Sequence, residues 1–258
     1  MLTPDVKPTQ PTIGAYGAEP SAARRPGVWR YFFIALAWLY AVVAVVGFAP
    51  NFRDHLAGTY EIHPLAFVHG AIMTAWLALF IAQTSLAASG SMKLHRKLGI
   101  ASLGLASLIW ISMIMATRRP LVAEALPMGH FLFNVLLVQL MVIILFPLYF
   151  ICGFLARRQP DTHKRLMIFT IAVLLQAATD RMYWLLPTFG LPDHWGQDMY
   201  IYALLLPLFV FDFVSIGRIH RVTLICTATL ISGHAVVNAL WGSPAWHHFA
   251  FTVTNAMR

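Results

Sequence analysis

What most constrains this chain is a recurring stretch of about 19 to 25 mostly apolar residues, the length an α-helix needs to cross the hydrocarbon core of a bilayer. Such stretches cover residues 31–49, 64–88, 98–117, 131–155, 166–187, 199–217 and 222–241, with short clusters of Lys and Arg between them. A backbone immersed in lipid must satisfy its own hydrogen bonds, which leaves helices or closed barrels. Continuous apolar runs of this length, with no two-residue alternation, select helices. Apolar types make up 59% of the chain and charged types 11%, where soluble domains hold roughly 45–50% and 25%. The expected fold class is therefore all-α, a seven-helix transmembrane bundle. Pro147 and Pro207 fall inside the fourth and sixth stretches and should kink those helices, because neighbouring helices can satisfy the freed carbonyls.

The segments divide as a flexible cytoplasmic tail (1–28), a transmembrane domain (29–242) and a short external C-terminal tail (243–258). The first holds Pro4, Pro8, Pro11, Pro20 and Pro26 and no apolar stretch long enough for a signal-peptide core. Orientation follows from the basic residues. Lys7, Arg24, Arg25 and Arg30 in the tail share one side with Lys93, Arg96, Lys97, Arg157, Arg158, Lys164, Arg165, Arg218 and Arg221 in alternate connections. The other side has only Arg53, Arg118, Arg119, Arg181 and Arg258. The positive-inside rule then places the N-terminus in the cytoplasm and the C-terminus outside. Trp184, Trp195, Tyr200, Tyr202, Trp241 and Trp246 gather at the expected outer interface as an aromatic belt.

The formal charge of +8 does not point to nucleic acid, because the basic residues flank apolar spans and form no separate basic domain. Membrane lipid headgroups are the expected counter-charge. Cys152 and Cys226, the only cysteines, lie in apolar runs and read as core packing; no CxxCH occurs, so c-type haem attachment is unsupported.

Polar side chains inside the spans carry the functional argument, since each is costly in hydrocarbon and tends to face a protein interior or a wet cavity. At a rise of about 1.5 Å per residue, His69, Asn134, Asp180 and His234 lie at a similar depth near the outer ends of four helices. His69, Trp76 and Gln83 share one helical stripe; Gln176, Asp180 and Tyr183 share a second; Thr227, His234, Asn238 and Trp241 share a third; His130 and Asn134 are one turn apart. An outer pocket lined by His69, Asn134, Gln176, Asp180, Tyr183, His234 and Asn238 is the expectation. Two imidazoles and a carboxylate suit Fe, Zn or Cu, and imidazoles alone suit haem iron. In that reading His69 and His234 are ligands, with Asp180 a third ligand or an orienting acceptor. If the pocket is catalytic, Asp180 is the proton acceptor. Interhelical polar packing and a substrate or proton pathway stand beside this reading.

A second tier at the basic end contains Gln83, His95, His163, Asp212 and His220. His95 and His163 are candidate cofactor ligands or interfacial anchors, and the adjoining basic clusters suit haem propionates or lipid phosphates. Asp212, set in apolar surroundings, is expected to pair with a loop arginine. His55, His194, His247 and His248 are expected in solvated outer loops. The turns LHRKLGIA and THKRLMIF, at the starts of the third and fifth spans, each carry a His, two basic residues and Leu, a trace of a duplicated helical hairpin.

The stretch HPLAFVHGAIMTAWLALFIAQTSLAASGSMKLHRKLGIA, with HKRLM in the fifth span, resembles a group of uncharacterised bacterial multi-helix membrane proteins over residues 60 to 185. The resemblance implies a multi-pass protein of a bacterial cytoplasmic membrane and carries no activity. The two tiers of histidines are more distantly similar to membrane cytochromes and haem-copper oxidase assembly proteins. Microbial rhodopsins also have seven spans, but Lys7, Lys93, Lys97 and Lys164 all lie outside the membrane core, so the last helix offers no Schiff-base lysine. Three functions follow as expectations: a redox or metal-handling protein, a proton-coupled transporter or lipid-handling protein, and a non-catalytic partner subunit of a membrane complex.

Overall fold

A computed structural model describes residues 31–123, 125–182, 184 and 193–258, and among them the fold is all helical. The helices are α1 (Phe32–Leu56), α2 (Pro64–Ser89), α3 (Met92–Ala123), α4 (Phe131–Leu155), α5 (Pro160–Leu174), α6 (Gln176–Thr179), α7 (Asp193–Ile216), α8 (Arg221–Leu240) and α9 (Pro244–Ala256). Six of them, α1, α2, α3, α4, α7 and α8, are long and apolar enough to cross a membrane. The fifth expected span is different in kind. Its helix stops at Leu174, Leu175 interrupts it, and one further turn, α6, follows.

The short helix is the centre of the bundle. Leu166, Ile168, Phe169, Thr170, Ile171, Ala172, Val173 and Leu174 are all buried, so α5 is covered on every face, as an all-round apolar helix requires. It packs against α4, α7 and α8, while α6 packs against α1 and α7. The outer helices turn aliphatic faces outward, with Val45, Ile100, Ile144, Leu206, Ile225 and Val236 exposed. An apolar exterior this extensive marks contact with lipid.

Helix starts are set by residue type. His63, His130 and His220 are the N-caps of α2, α4 and α8, and each accepts a hydrogen bond at Nδ1 from the amide two residues on, at 3.1, 3.2 and 3.1 Å. They satisfy one orphan amide each, the work usually done by Ser or Asp. Helices α1 and α3 run further than hydropathy alone suggests, continuing through Pro50 and Pro120; α4 and α7 continue through Pro147 and Pro207. At Gly47, α1 comes so close to α6 that a Cβ there would lie 2.5 Å from the Ala178 carbonyl oxygen, a close approach of small residues of the kind that holds membrane helices together.

Several expectations change. The stretch 243–258 contains α9, which packs on α3 and α4. Trp246 is buried there, its indole N–H donating to the Phe133 carbonyl at 2.7 Å, so it is not part of an interfacial belt. Cys226 is buried but Cys152 is exposed on the lipid-facing side of α4. Asp212 does pair with an arginine. It is fully buried and accepts from Arg165 Nε at 2.9 Å and from Arg165 Nη2, from the His220 amide at 3.1 Å and from Thr223 Oγ1 at 2.6 Å. This clamp ties α5, α7 and α8 together at the basic end.

Candidate functional site

Three helical segments each contribute two polar residues four positions apart, a spacing that puts both on one face. Gln176 and Asp180 come from α6 and its C-cap, Asp198 and Tyr202 from α7, and His234 and Asn238 from α8. The Gln176 amide nitrogen donates to Asp180 Oδ1 at 2.8 Å and to Asp198 Oδ1 at 3.3 Å. Asn238 Nδ2 donates to Asp198 Oδ2 at 3.0 Å. His234 Nε2 lies 3.6 Å from Asp198 Oδ1, and its Nδ1 is 2.7 Å from the Tyr202 hydroxyl. The order Asp180, Gln176, Asp198, His234, Tyr202 is thus a single file of polar groups between apolar helices.

This file is incompletely satisfied. His234 Nε2 and Asn238 Oδ1 are buried atoms without a hydrogen-bond partner among the described residues, although His234 is only 2% exposed. With the Tyr202 hydroxyl donating to Nδ1, a neutral His234 carries its proton on Nε2, facing Asp198 just beyond hydrogen-bond reach. Asp180 takes its hydrogen bond from Gln176 and not from Arg181, whose guanidinium bonds the Ala177 carbonyl and lies over the Phe48 ring at 4.6 Å. Arg181 also lines an open cleft with Pro50, Asn51, Arg53 and Asp54, so one end of the polar file adjoins a charged surface cleft.

The other expected pocket residues go elsewhere. His69 Nδ1 donates to Ser112 Oγ of α3 at 2.9 Å, while that hydroxyl donates to the Ile109 carbonyl at 2.8 Å. Asn134 Oδ1 accepts from the Gly242 amide at 2.9 Å and lies 2.8 Å from His247 Nε2, which joins α4 to α9; His247 is therefore bonded within the bundle. Tyr183 lies outside the described residues. Among the described residues no three His, Cys, Asp or Glu side chains gather so as to hold a metal ion. The set His69, His234 and Asp180 is divided between two interfaces.

At the opposite, basic end, His95 and His163 occupy the same position, the fourth residue, of α3 and α5. Each Nδ1 donates to a carbonyl of the preceding helix, His95 to Gln83 at 3.2 Å and His163 to Gly153 at 2.8 Å. Their ring centroids are 6.3 Å apart with the planes at 87°. Burial, reinforced by the neighbouring His95, holds His163 below the ordinary imidazole range, against the opposing pull of the Gly153 carbonyl.

Compared with known protein families, curated proteins and solved structures, the chain has no match. Function must therefore be argued from the sites themselves.

Asp198 and Tyr202 are the functional candidates that hydropathy hides. Asp198 falls immediately before the sixth apolar stretch and reads as loop, and Tyr202 reads as interfacial. Their spacing of four, matching that of Gln176 with Asp180 and of His234 with Asn238, is the signal that identifies them.

Proposed function

We propose that this multi-pass membrane protein is a proton-coupled transporter in which Asp198 and His234 exchange the proton, Asp180 is a second carboxyl toward the surface cleft, and Gln176 and Tyr202 hold these groups in place. One observation carries the reading: three titratable side chains, Asp180, Asp198 and His234, meet from three helical segments in one network, with Asp198 and His234 3.6 Å apart and not yet hydrogen-bonded. A purely structural network would have every member satisfied, because an unpaired polar atom in low dielectric is costly. Among the described residues His234 Nε2 and Asn238 Oδ1 are left over, a donor and an acceptor suited to a small polar solute moving with the proton. The His69 and Asn134 interfaces frame this file in the same reading.

Topology belongs to the same proposal. Helices α5 and α6 together supply a seventh crossing, and the basic clusters put the N-terminus in the cytoplasm of a bacterial cell. The quoted resemblance to bacterial multi-helix membrane proteins supports that setting.

The test is proton flux into proteoliposomes under a potassium diffusion potential, read with an entrapped pH dye, alongside infrared difference spectra of the carboxyl groups. Wild-type protein should carry protons and show a carboxylic band that titrates; Asp198→Asn should abolish both, and His234→Gln should slow the flux at least tenfold. Flux equal to that of empty vesicles, with no titrating carboxyl, would remove the proposal.

A further inference from the structure

The close approach of Gly47 to Ala178 sets the open cleft beside Asp180. Past that contact α1 continues with Pro50, Asn51 and Asp54, three, four and seven residues beyond Gly47, a spacing that keeps them on one helical face. Arg181 stands three residues beyond Ala178 and meets them there. With Arg53 and Trp184 these side chains line a cavity of about 520 Å³, the size of a small-molecule site.

The two guanidinium groups of the cleft differ in what they have left to give. Arg53 turns both Nε and Nη2 to Asp54 Oδ1, at 3.0 and 2.9 Å, so its fork is taken and its charge is paired. Arg181 donates from Nη1 to the Ala177 carbonyl and lies over the Phe48 ring, 4.6 Å from its centroid. Those contacts fix the plane of the group and leave its Nε–Nη2 edge without a hydrogen-bond partner among the described residues. The adjoining carboxylate, Asp180, turns instead to the Gln176 amide. A planar guanidinium with one edge open matches the two oxygens of a carboxylate through parallel, charge-assisted hydrogen bonds.

We propose that this cleft binds a small monocarboxylate, with its two oxygens on the Arg181 fork and its apolar part against Trp184. The indole is 52% exposed and lines the same cavity, so an apolar substituent there covers a ring that is otherwise wet. One open cation answers one negative charge. A dianion would leave its second charge unpaired near the Asp54 carboxylate, which repels it. As a transported substrate the carboxylate rests on the proton-coupled reading above; as a bound ligand it does not. The two fit each other chemically, because a monocarboxylate moving with one proton carries no net charge and avoids the cost of taking an ion through hydrocarbon.

Calorimetric titration of the detergent-purified full chain with benzoate, acetate, benzamide and inorganic phosphate reads binding with no gradient present. Benzoate should bind saturably at 1:1, and benzamide and phosphate at least tenfold more weakly. Arg181→Gln should weaken benzoate at least tenfold, and Arg181→Lys, which keeps the charge and loses the fork, at least threefold. Trp184→Ala changes an exposed side chain and should weaken benzoate at least threefold while leaving acetate unchanged, a readout that survives if the arginine variants fail to fold. The inference is overturned by absent benzoate binding, by phosphate or benzamide binding as tightly as benzoate, by benzoate binding unchanged in Arg181→Gln, or by equal effects of Trp184→Ala on benzoate and acetate. Benzoate binding to a protein that carries no protons supports the site and removes only the transporter reading. Proton flux without carboxylate binding does the opposite.

Discussion

Replacing Arg165 with Met keeps most of the side-chain stem and removes the guanidinium from the α5–α7–α8 clamp. Arg165 is 1% exposed and Asp212 is 0% exposed, so solvent screening offers no discount. Of the four hydrogen bonds Asp212 accepts, the two at Oδ1 vanish, and the His220 amide and Thr223 hydroxyl at Oδ2 remain. Removing one partner of a buried pair leaves an uncompensated charge and costs about 3–5 kcal/mol, or about two to three and a half orders of magnitude in the folding equilibrium. Equilibrium unfolding in mixed micelles, followed by circular dichroism, measures it. The double variant R165M/D212N removes the charge while keeping an acceptor for Thr223 or the His220 amide, and should recover about 2 kcal/mol or more of the loss. A loss below about 1 kcal/mol for R165M would show that the clamp does not hold the central helix. A double variant no more stable than the single would assign the cost to the Arg165 bond with the Asp161 carbonyl instead of the orphaned carboxylate.

Two further outcomes test the packing and the caps. Gly47→Ala drives a methyl group into the Ala178 backbone and should destabilise by about 1–3 kcal/mol in the same unfolding assay, whereas Gly104→Ala, with open space around it, should be neutral or slightly stabilising. Burial, helped by the Arg165 guanidinium, holds His220 below the ordinary imidazole range, and its cap bond to the Val222 amide needs Nδ1 unprotonated. The unfolded chain therefore binds the extra proton first, so the stabilisation is complete above about pH 6.5 and is lost as the pH falls through the folded value. His220→Asn keeps a cap that does not titrate, so its stability relative to wild type should rise on acidification; a constant difference from pH 8 to 5 would refute the assignment.

The long apolar runs made six helices legible because length and hydropathy decide a crossing without reference to neighbours. The central segment was misjudged in length for the opposite reason. Residues 166–174 are apolar on all faces because protein surrounds them, and that composition does not reveal that the helix breaks at Leu175. Polar residues were legible as members of stripes, since a spacing of four or seven is local. Their partners were not. His69 and His234 share a depth, yet which helix each faces is set by the order of helices around α5, and no local pattern encodes it. Nor did hydropathy reveal α9: its Trp246, Ala250 and Thr254 are buried, but thirteen helical residues are too few to register as a span.

The two buried acidic centres, Asp212 and Asp198, show how satisfaction separates a clamp from a site. Asp212 accepts four hydrogen bonds, one pair from a guanidinium that is itself occupied at Nη1 by the Asp161 carbonyl. Nothing in that arrangement can gain or lose a proton without leaving a partner stranded, so it resists change and serves to fix three helices. Among the described residues Asp198 receives only neutral amide donors, from Gln176 and Asn238, and stands 3.6 Å from a histidine whose facing nitrogen has no hydrogen-bond partner there. In the other tautomer, with His234 Nδ1 donating to the Tyr202 hydroxyl, the Nε2 lone pair faces Asp198, and transfer from a protonated Asp198 exchanges a neutral pair for an ion pair and breaks no existing hydrogen bond. A small approach of α8 toward α7 would close that gap. The network is thus loose at the Asp198–His234 step, where a proton would move, while the opposite end of the bundle, held by Arg165, stays fixed.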